Sequence, residues 1–289
     1  MLGQTVIRSA FLFLKSNHCK KHPNYLPIII TVRAIIFLFL FNMTGYIDIR
    51  WKIFAACCLL LFTFSCEERK VVGVTRVGEL ESLIRDGNLG ANASLNELTG
   101  TPHLYAIGNV TGNEGFITVL DGKCYTGAVD TAKKLTIDSS CTATATLLLY
   151  SNVGKWKEYE IPSDVITWKQ LEQFIGNMAT KYNVSKTDAF CFRLIGHVDS
   201  LNWHVLKWRE GMKEITYKKM HTLGLNGVLT DKAIDAIGFY SKDPREIFVH
   251  QETVINVHFI SVDHTITGRI EDMKLDGRMK LYLPDDEPE

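Results

Sequence analysis

The sequence predicts a strand-rich α+β domain, and three stretches carry that expectation. Val254 to Val262 alternates, placing Asn256, His258, Ile260 and Val262 on one face and Ile255, Val257 and Phe259 on the other. Cys141 to Tyr150 alternates Thr with Ala and then turns wholly apolar, as a strand entering a core does. One long segment, 167–182, instead keeps helical spacing. Periodicity fixes the class and leaves the arrangement of layers open.

The first 66 residues read as an address rather than as fold. Ile28 to Phe41 is apolar but broken by Arg33, and short for a membrane span. Ile53 to Phe64 has the length of a signal-peptide core, follows Arg50 and Lys52, and ends in Thr63-Phe64-Ser65-Cys66. A small residue and then Cys after an apolar run resembles a bacterial lipoprotein signal, with Cys66 as the lipidated first residue of the mature chain. Residues 1–65 are therefore expected to be a signal or anchor, with 1–42, ahead of Met43, a start assigned too early. An N-terminal anchor of one or two spans is the alternative. Residues 66–75 read as a charged tether, and the expected location is the bacterial cell envelope, at the membrane through a lipid anchor.

Seven of the 32 basic residues and one of the 32 acidic residues fall in 1–66, leaving 25 against 31 and a net charge of −6 beyond it. Such a balance provides no basic face for nucleic acid. Cys124, Cys141 and Cys191 lie in this part, without a Cys-x-x-Cys pair. Three cysteines allow at most one disulfide, and three buried thiols are the expectation.

Beyond the tether, Val77, Leu80, Leu83 and Ile84 keep 3–4 spacing and Gly87 suits a helix end, so 77–86 is expected to be a short helix. Residues 94–98 read as one more helical turn. Leu104 to Val110 and Phe116 to Leu120 are expected strands, with Asp121-Gly122 a tight turn into Lys123. Thr167 and Gln170 have capping-box spacing ahead of Trp168, Leu171, Phe174, Ile175, Met178 and Tyr182, which are expected core residues of one helix. Ala189 to Gly196 and Leu201 to Leu206 read as two strands, 209–230 as loop, and Ala233 to Tyr240 as a strand. Asp243-Pro244-Arg245 reads as a turn. The alternating hairpin follows, turning at Asp263-His264-Thr265, and after Asp276-Gly277 a last strand ends at Leu283-Pro284. Residues 285–289 form an acidic tail.

Asn256 and His258 share a face of an apolar strand, and Arg269 on the returning strand comes near them across the ladder. Buried, these groups would each need a partner, so this face lines a pocket or carries a polar network. The hairpin resembles the active-site hairpin of the acetolactate decarboxylase family, in which a His-x-His pair and a third His hold a zinc ion. Gly108, Gly115, Lys123, Tyr125, Leu194-Ile195-Gly196 and Gly238-Phe239-Tyr240 fall in the family's order, so the resemblance spans about 75 to 284 and marks 76–284 as one domain. It implies mixed or antiparallel sheets in two packed parts with one long helix, a site between the parts, and a homodimer.

At the family's ligand positions this chain has Asn256, His258 and Arg269, so His258 alone is a good zinc ligand. Phe116 stands where the family has a functional Glu, and His204 where it has a functional Arg. Glu114 would share the face of Phe116 if the strand ran regularly that far, and is carried with His204 as a candidate catalytic residue; a solvated turn is the plain alternative. Asn256 and Arg269 are candidate substrate-binding residues. The family reaction releases carbon dioxide from 2-acetolactate to give acetoin. The replacements suggest a protein without this zinc chemistry that binds a small hydroxy or keto acid. A structural or interaction lipoprotein, and an active decarboxylase with a rearranged site, are the other readings.

Overall fold

The computed structural model describes residues 73–184, 189–208, 222–249 and 253–285. They belong to the second of two compact units, Glu68–Glu289. The stretch read as a signal or anchor, Cys66 and most of the acidic tail lie outside the described residues. Among the described residues, no helix is long and apolar enough to cross a membrane.

The described chain runs β1 (Thr75–Val77), α1 (Leu80–Asp86), β2 (Ala93–Ser94), α2 (Leu95–Leu98), β3 (Leu104–Val110), β4 (Gly115–Leu120), β5 (Lys123–Val129), β6 (Leu135–Asp138), β7 (Thr144–Asn152) and β8 (Trp156–Glu160). It continues with α3 (Trp168–Lys181), β9 (Phe190–Val205), β10 (Leu225–Tyr240), β11 (Ile255–Ser261), β12 (Thr267–Lys274) and β13 (Met279–Pro284). Two sheets result. The N-terminal one has the order β1-β7-β3-β4-β5-β6, with β2 also on β7. In the C-terminal one, β9 pairs with β10 along its whole length and with β12 and β13 on its other side. Because β10 also pairs with β11, and β11 with β12, these four strands close a ring.

Alternation along the strands sorts the core into layers. Phe190, Phe192 and Leu194 of β9 face Leu171, Ile175 and Ala179 of α3. Cys191, Ile237 and Phe239 face the other way, against Tyr105, Ile107, Leu147 and Leu149 of the N-terminal sheet. Behind that sheet, Ala106, Ile117 and Val119 pack with Leu95 of α2. The capping box forms as read: Thr167 Oγ1 accepts from the Gln170 backbone N–H, and Gln170 Oε1 accepts from the Thr167 backbone N–H. Asp121 and Gly122 both take positive φ, 49° and 76°, the pairing a tight hairpin requires.

Several expectations are corrected. Every ladder among the described residues is antiparallel, which narrows the expected mixed or antiparallel sheets to the second. The first helix begins at Leu80, because Val77 pairs with Leu148 and Gly78 turns the chain at φ 85°. The two strands expected over 189–196 and 201–206 are one 16-residue strand, β9 (Phe190–Val205), whose apparent break at Asp199-Ser200 is a more exposed stretch paired with β10 and, at Ser200, with β12. Residues 225–230 are strand rather than loop; 209–221 lie outside the described residues. Cys124 and Cys141 are not thiols: they form a disulfide with Cα atoms 5.3 Å apart, while Cys191 is a buried thiol as expected.

The disulfide closes a 17-residue separation and pins the segment before β7 to β5. Replacing both Cys124 and Cys141 by Ala should lower unfolding stability in urea by about 3 kcal/mol, with far-UV circular dichroism unchanged. A loss below about 0.5 kcal/mol would mean the bridge does little to restrict the unfolded chain.

Candidate functional site

β11 is buried on both faces, which is why Val257 and Phe259 can pack toward α3 while His258 faces the other sheet. His258 is the cross-strand partner of Arg269 on β12, and Arg269 is the partner of His204 on β9. Directly opposed residues share a face. His258, Arg269 and His204 therefore form one transverse row across three strands, aimed at β4.

β4 closes over that row. The ring centroid of Phe116 lies 4.7 Å from that of His258 and 5.1 Å from that of His204, edge-on to both. All three rings are about 1% exposed. His258 Nδ1 donates to the Ile117 carbonyl oxygen at 2.9 Å. That bond sets the tautomer and leaves the lone pair on Nε2. Burial, above all, lowers the His258 pKa to about 3; the Ile117 carbonyl works the other way, and the nearby Arg269 charge lowers it further. The imidazole is neutral throughout the physiological range.

Glu271 balances the row. β12 bulges between Ile270 and Asp272 against β9, so Glu271 is the extra residue. Its Oε1 lies 2.8 Å from His204 Nδ1 and 3.7 Å from Arg269 Nε. The first is a close charge-type contact, and the second is long for a hydrogen bond. Arg269 is 16% exposed and Glu271 27%. Asn256, two residues before His258, donates its amide nitrogen to the Ile247 carbonyl at 2.9 Å. Asn256 Oδ1, Arg269 Nε and Thr118 Oγ1 are buried without a hydrogen-bond partner among the described residues.

The sequence-derived candidates thus separate. His204, His258 and Arg269 converge, and Asn256 lies beside them on the same face. Glu114 does not join. It is exposed, with φ −94° and ψ 21° at the end of the 3-10 turn 111–113, and Gly115 at φ 150° begins the strand only after it. The regular alternation that would have turned Glu114 inward is absent. Its role as a candidate catalytic residue is corrected accordingly. His264 sits at the exposed hairpin tip, 5.3 Å ring to ring from Tyr125. What the sequence reading lacked was the Ile117 carbonyl and the bulge that swings Glu271 onto His204; neither a backbone oxygen nor a bulge leaves a mark in residue type.

These side chains do not fit a zinc ion. Guanidinium has no lone pair to give and brings a positive charge of its own. The Asn256 amide is oriented by Ile247, and the Phe116 ring packs on His258. Among the described residues, no group of three or more His, Cys, Asp or Glu has metal-holding geometry.

Neither a protein-family model nor a curated protein sequence matches the chain. Solved structures do. Alpha-acetolactate decarboxylase from Bacillus subtilis strain 168 is 14% identical over 74% of this chain and 86% of its own, with a TM-score of 0.58. The enzyme of Bacillus subtilis subspecies spizizenii gives the same identity and TM-score over 87% of its chain. A Staphylococcus aureus protein of unknown function, described as similar to alpha-acetolactate decarboxylase, is 15% identical over 74% of this chain and 86% of its own, with a TM-score of 0.57. The fold is therefore acetolactate decarboxylase-like; at this identity the likeness says nothing of the reaction.

The buried neutral imidazole makes stability pH-dependent. His258 titrates at about 3 folded and near 6.5 unfolded, so the unfolded chain binds the extra proton and stability falls as pH drops below about 6.5. From pH 8 to pH 5 this group alone should remove about 2 kcal/mol, measured by urea unfolding. In His258→Gln that part of the slope should vanish; an unchanged slope would show that the imidazole is not held neutral.

Proposed function

We propose that this chain is an exported protein with the acetolactate decarboxylase fold that does not use the zinc chemistry, and that its inter-sheet site holds a small hydroxy or keto acid. The observation that carries the reading is the pair of complementary groups left over at the site. Arg269 Nε is a buried donor lacking an acceptor, and Asn256 Oδ1 a buried acceptor lacking a donor, among the described residues. A carboxylate supplies the first need and a neighbouring hydroxyl the second. His204, next to Glu271, is the group placed to exchange a proton with such a ligand.

Electrostatics limits the affinity. Glu271 already lies 3.7 Å from Arg269, so an incoming carboxylate competes with it. A charge-assisted hydrogen bond contributes roughly 1.5–3 kcal/mol, and millimolar binding corresponds to about 4 kcal/mol. Binding in the millimolar range is the expectation. The same Glu271 contact favours the second reading, in which the row is a self-neutralised network inside a structural or interaction lipoprotein.

Calorimetric titration of the purified protein with 2-hydroxy and 2-keto acids should give millimolar binding that Arg269→Met abolishes, with acetoin production from acetolactate near background. Equal binding by wild type and Arg269→Met would leave the structural reading standing. Acetoin production at enzyme-like rates would restore the decarboxylase reading.

The export part rests on Cys66 following an apolar run and on the Cys124–Cys141 disulfide, which suits an oxidising compartment. Expressed in bacteria, the chain should begin at Cys66 and sediment with membranes, and Cys66→Ala should prevent lipid attachment. Mass spectrometry of the mature N-terminus decides this; a chain still starting at Met1 would refute it.

A further inference from the structure

We propose that the Arg269 guanidinium is a resident cation that takes over the structural part a divalent ion would play between β11 and β12, so that the site holds together without metal. This rests on the reading that zinc chemistry is absent, but it concerns how the site is stabilised rather than what it binds.

The backbone places three positions around one spot. Residues 256 and 258 lie two apart on one face of β11, and residue 269 lies directly across from 258. Three such positions are a layout three imidazoles could fill around one ion. The Ile117 carbonyl, by engaging His258 Nδ1, directs the Nε2 lone pair away from β4's backbone, the orientation a ligating histidine has. Two of the three positions then carry residues that decline the role. One of them, Arg269, introduces a fixed charge, and the adjoining residue of opposite sign, Glu271, is brought by the bulge to within 3.7 Å of it and 2.8 Å of His204.

The charges make sense only together. Glu271 is 27% exposed and has His204 at 2.8 Å and Arg269 at 3.7 Å. A part-buried carboxylate so placed is stabilised by a cation, and Arg269 is the fixed one within reach. An external divalent ion at this spot would meet the guanidinium, and like charges at this range repel. Arg269 thus both satisfies Glu271 and excludes a metal.

The test uses the full mature chain dialysed against chelator. Wild type should retain far less than one zinc per chain, and added zinc should not move its melting temperature. Asn256→His/Arg269→His, prepared with Phe116 intact and also with Phe116→Ala, should take up about one zinc per chain and gain several degrees on zinc addition. Arg269→Lys should melt closer to wild type than Arg269→Gln does, because it keeps the charge. Stoichiometric zinc in wild type, lost in His258→Ala, would overturn the proposal, as would folded histidine variants that bind none. If the histidine variants do not fold, the Lys–Gln comparison decides, and equal melting of the two refutes it. None of these readouts depends on small-acid binding, so a failed titration of hydroxy acids leaves this proposal standing, and its own failure leaves theirs.

Discussion

The hydrogen bond from His258 to the carbonyl of Ile117 sets the terms for the whole site. It joins β11 of one sheet to β4 of the other, at a point where both are buried. A strand carbonyl can accept a second bond because its oxygen has two lone pairs. The imidazole cannot turn, because Phe116 packs on its ring and the β11 backbone is locked between β10 and β12. Its tautomer, its neutrality and the direction of its remaining lone pair all follow. A protonated imidazole here would be a second cation next to Arg269 in a nearly dry space, and burial works against it more strongly than the carbonyl works for it.

Given a neutral His258, the rest of the row has to balance itself. Arg269 contributes a charge that cannot be titrated away, and Glu271 is the acid within reach of both Arg269 and His204. The bulge matters here because a regular strand would have spaced Glu271 two residues along the ladder, one step from the row. As the extra residue it leans back over His204. Compensation of this kind is geometric before it is electrostatic: Glu271 stays 3.7 Å from Arg269 Nε, which leaves that N–H able to donate to a better-placed partner.

Much of this fold was legible in the sequence because its signals are local. The capping box of Thr167 and Gln170, the Asp121-Gly122 turn, Gly87 ending a helix in the left-handed region and the alternation of β11 each depend on a few adjacent residues. What stayed hidden depends on partners far along the chain. Residues 225–230 look like loop because one side of that arm faces water, yet they pair with 200–205. Which two of three cysteines meet is decided by β5 lying beside the segment before β7. Of the site, the row His258–Arg269 was readable from hairpin spacing. His204 could be placed there by resemblance alone. Glu114 was misplaced because one positive-φ glycine, Gly115, delays the start of β4.

The likeness to acetolactate decarboxylases at 14–15% identity fits this division of labour. Layers, register and turns are specified by patterns that many residue combinations satisfy, so the backbone tolerates extensive replacement. A metal centre is specified by a handful of side chains, each of which has to be one of a few types. An Arg at position 269 leaves intact the patterning that forms the hairpin, since a long polar residue is tolerated on a strand facing a polar row. It does bring a fixed charge to a part-buried spot, and such a charge has to be answered nearby. Glu271, displaced by a bulge onto the same spot, is that answer. The architecture is thus set by patterning, and the charge balance of the row by a few side chains on it.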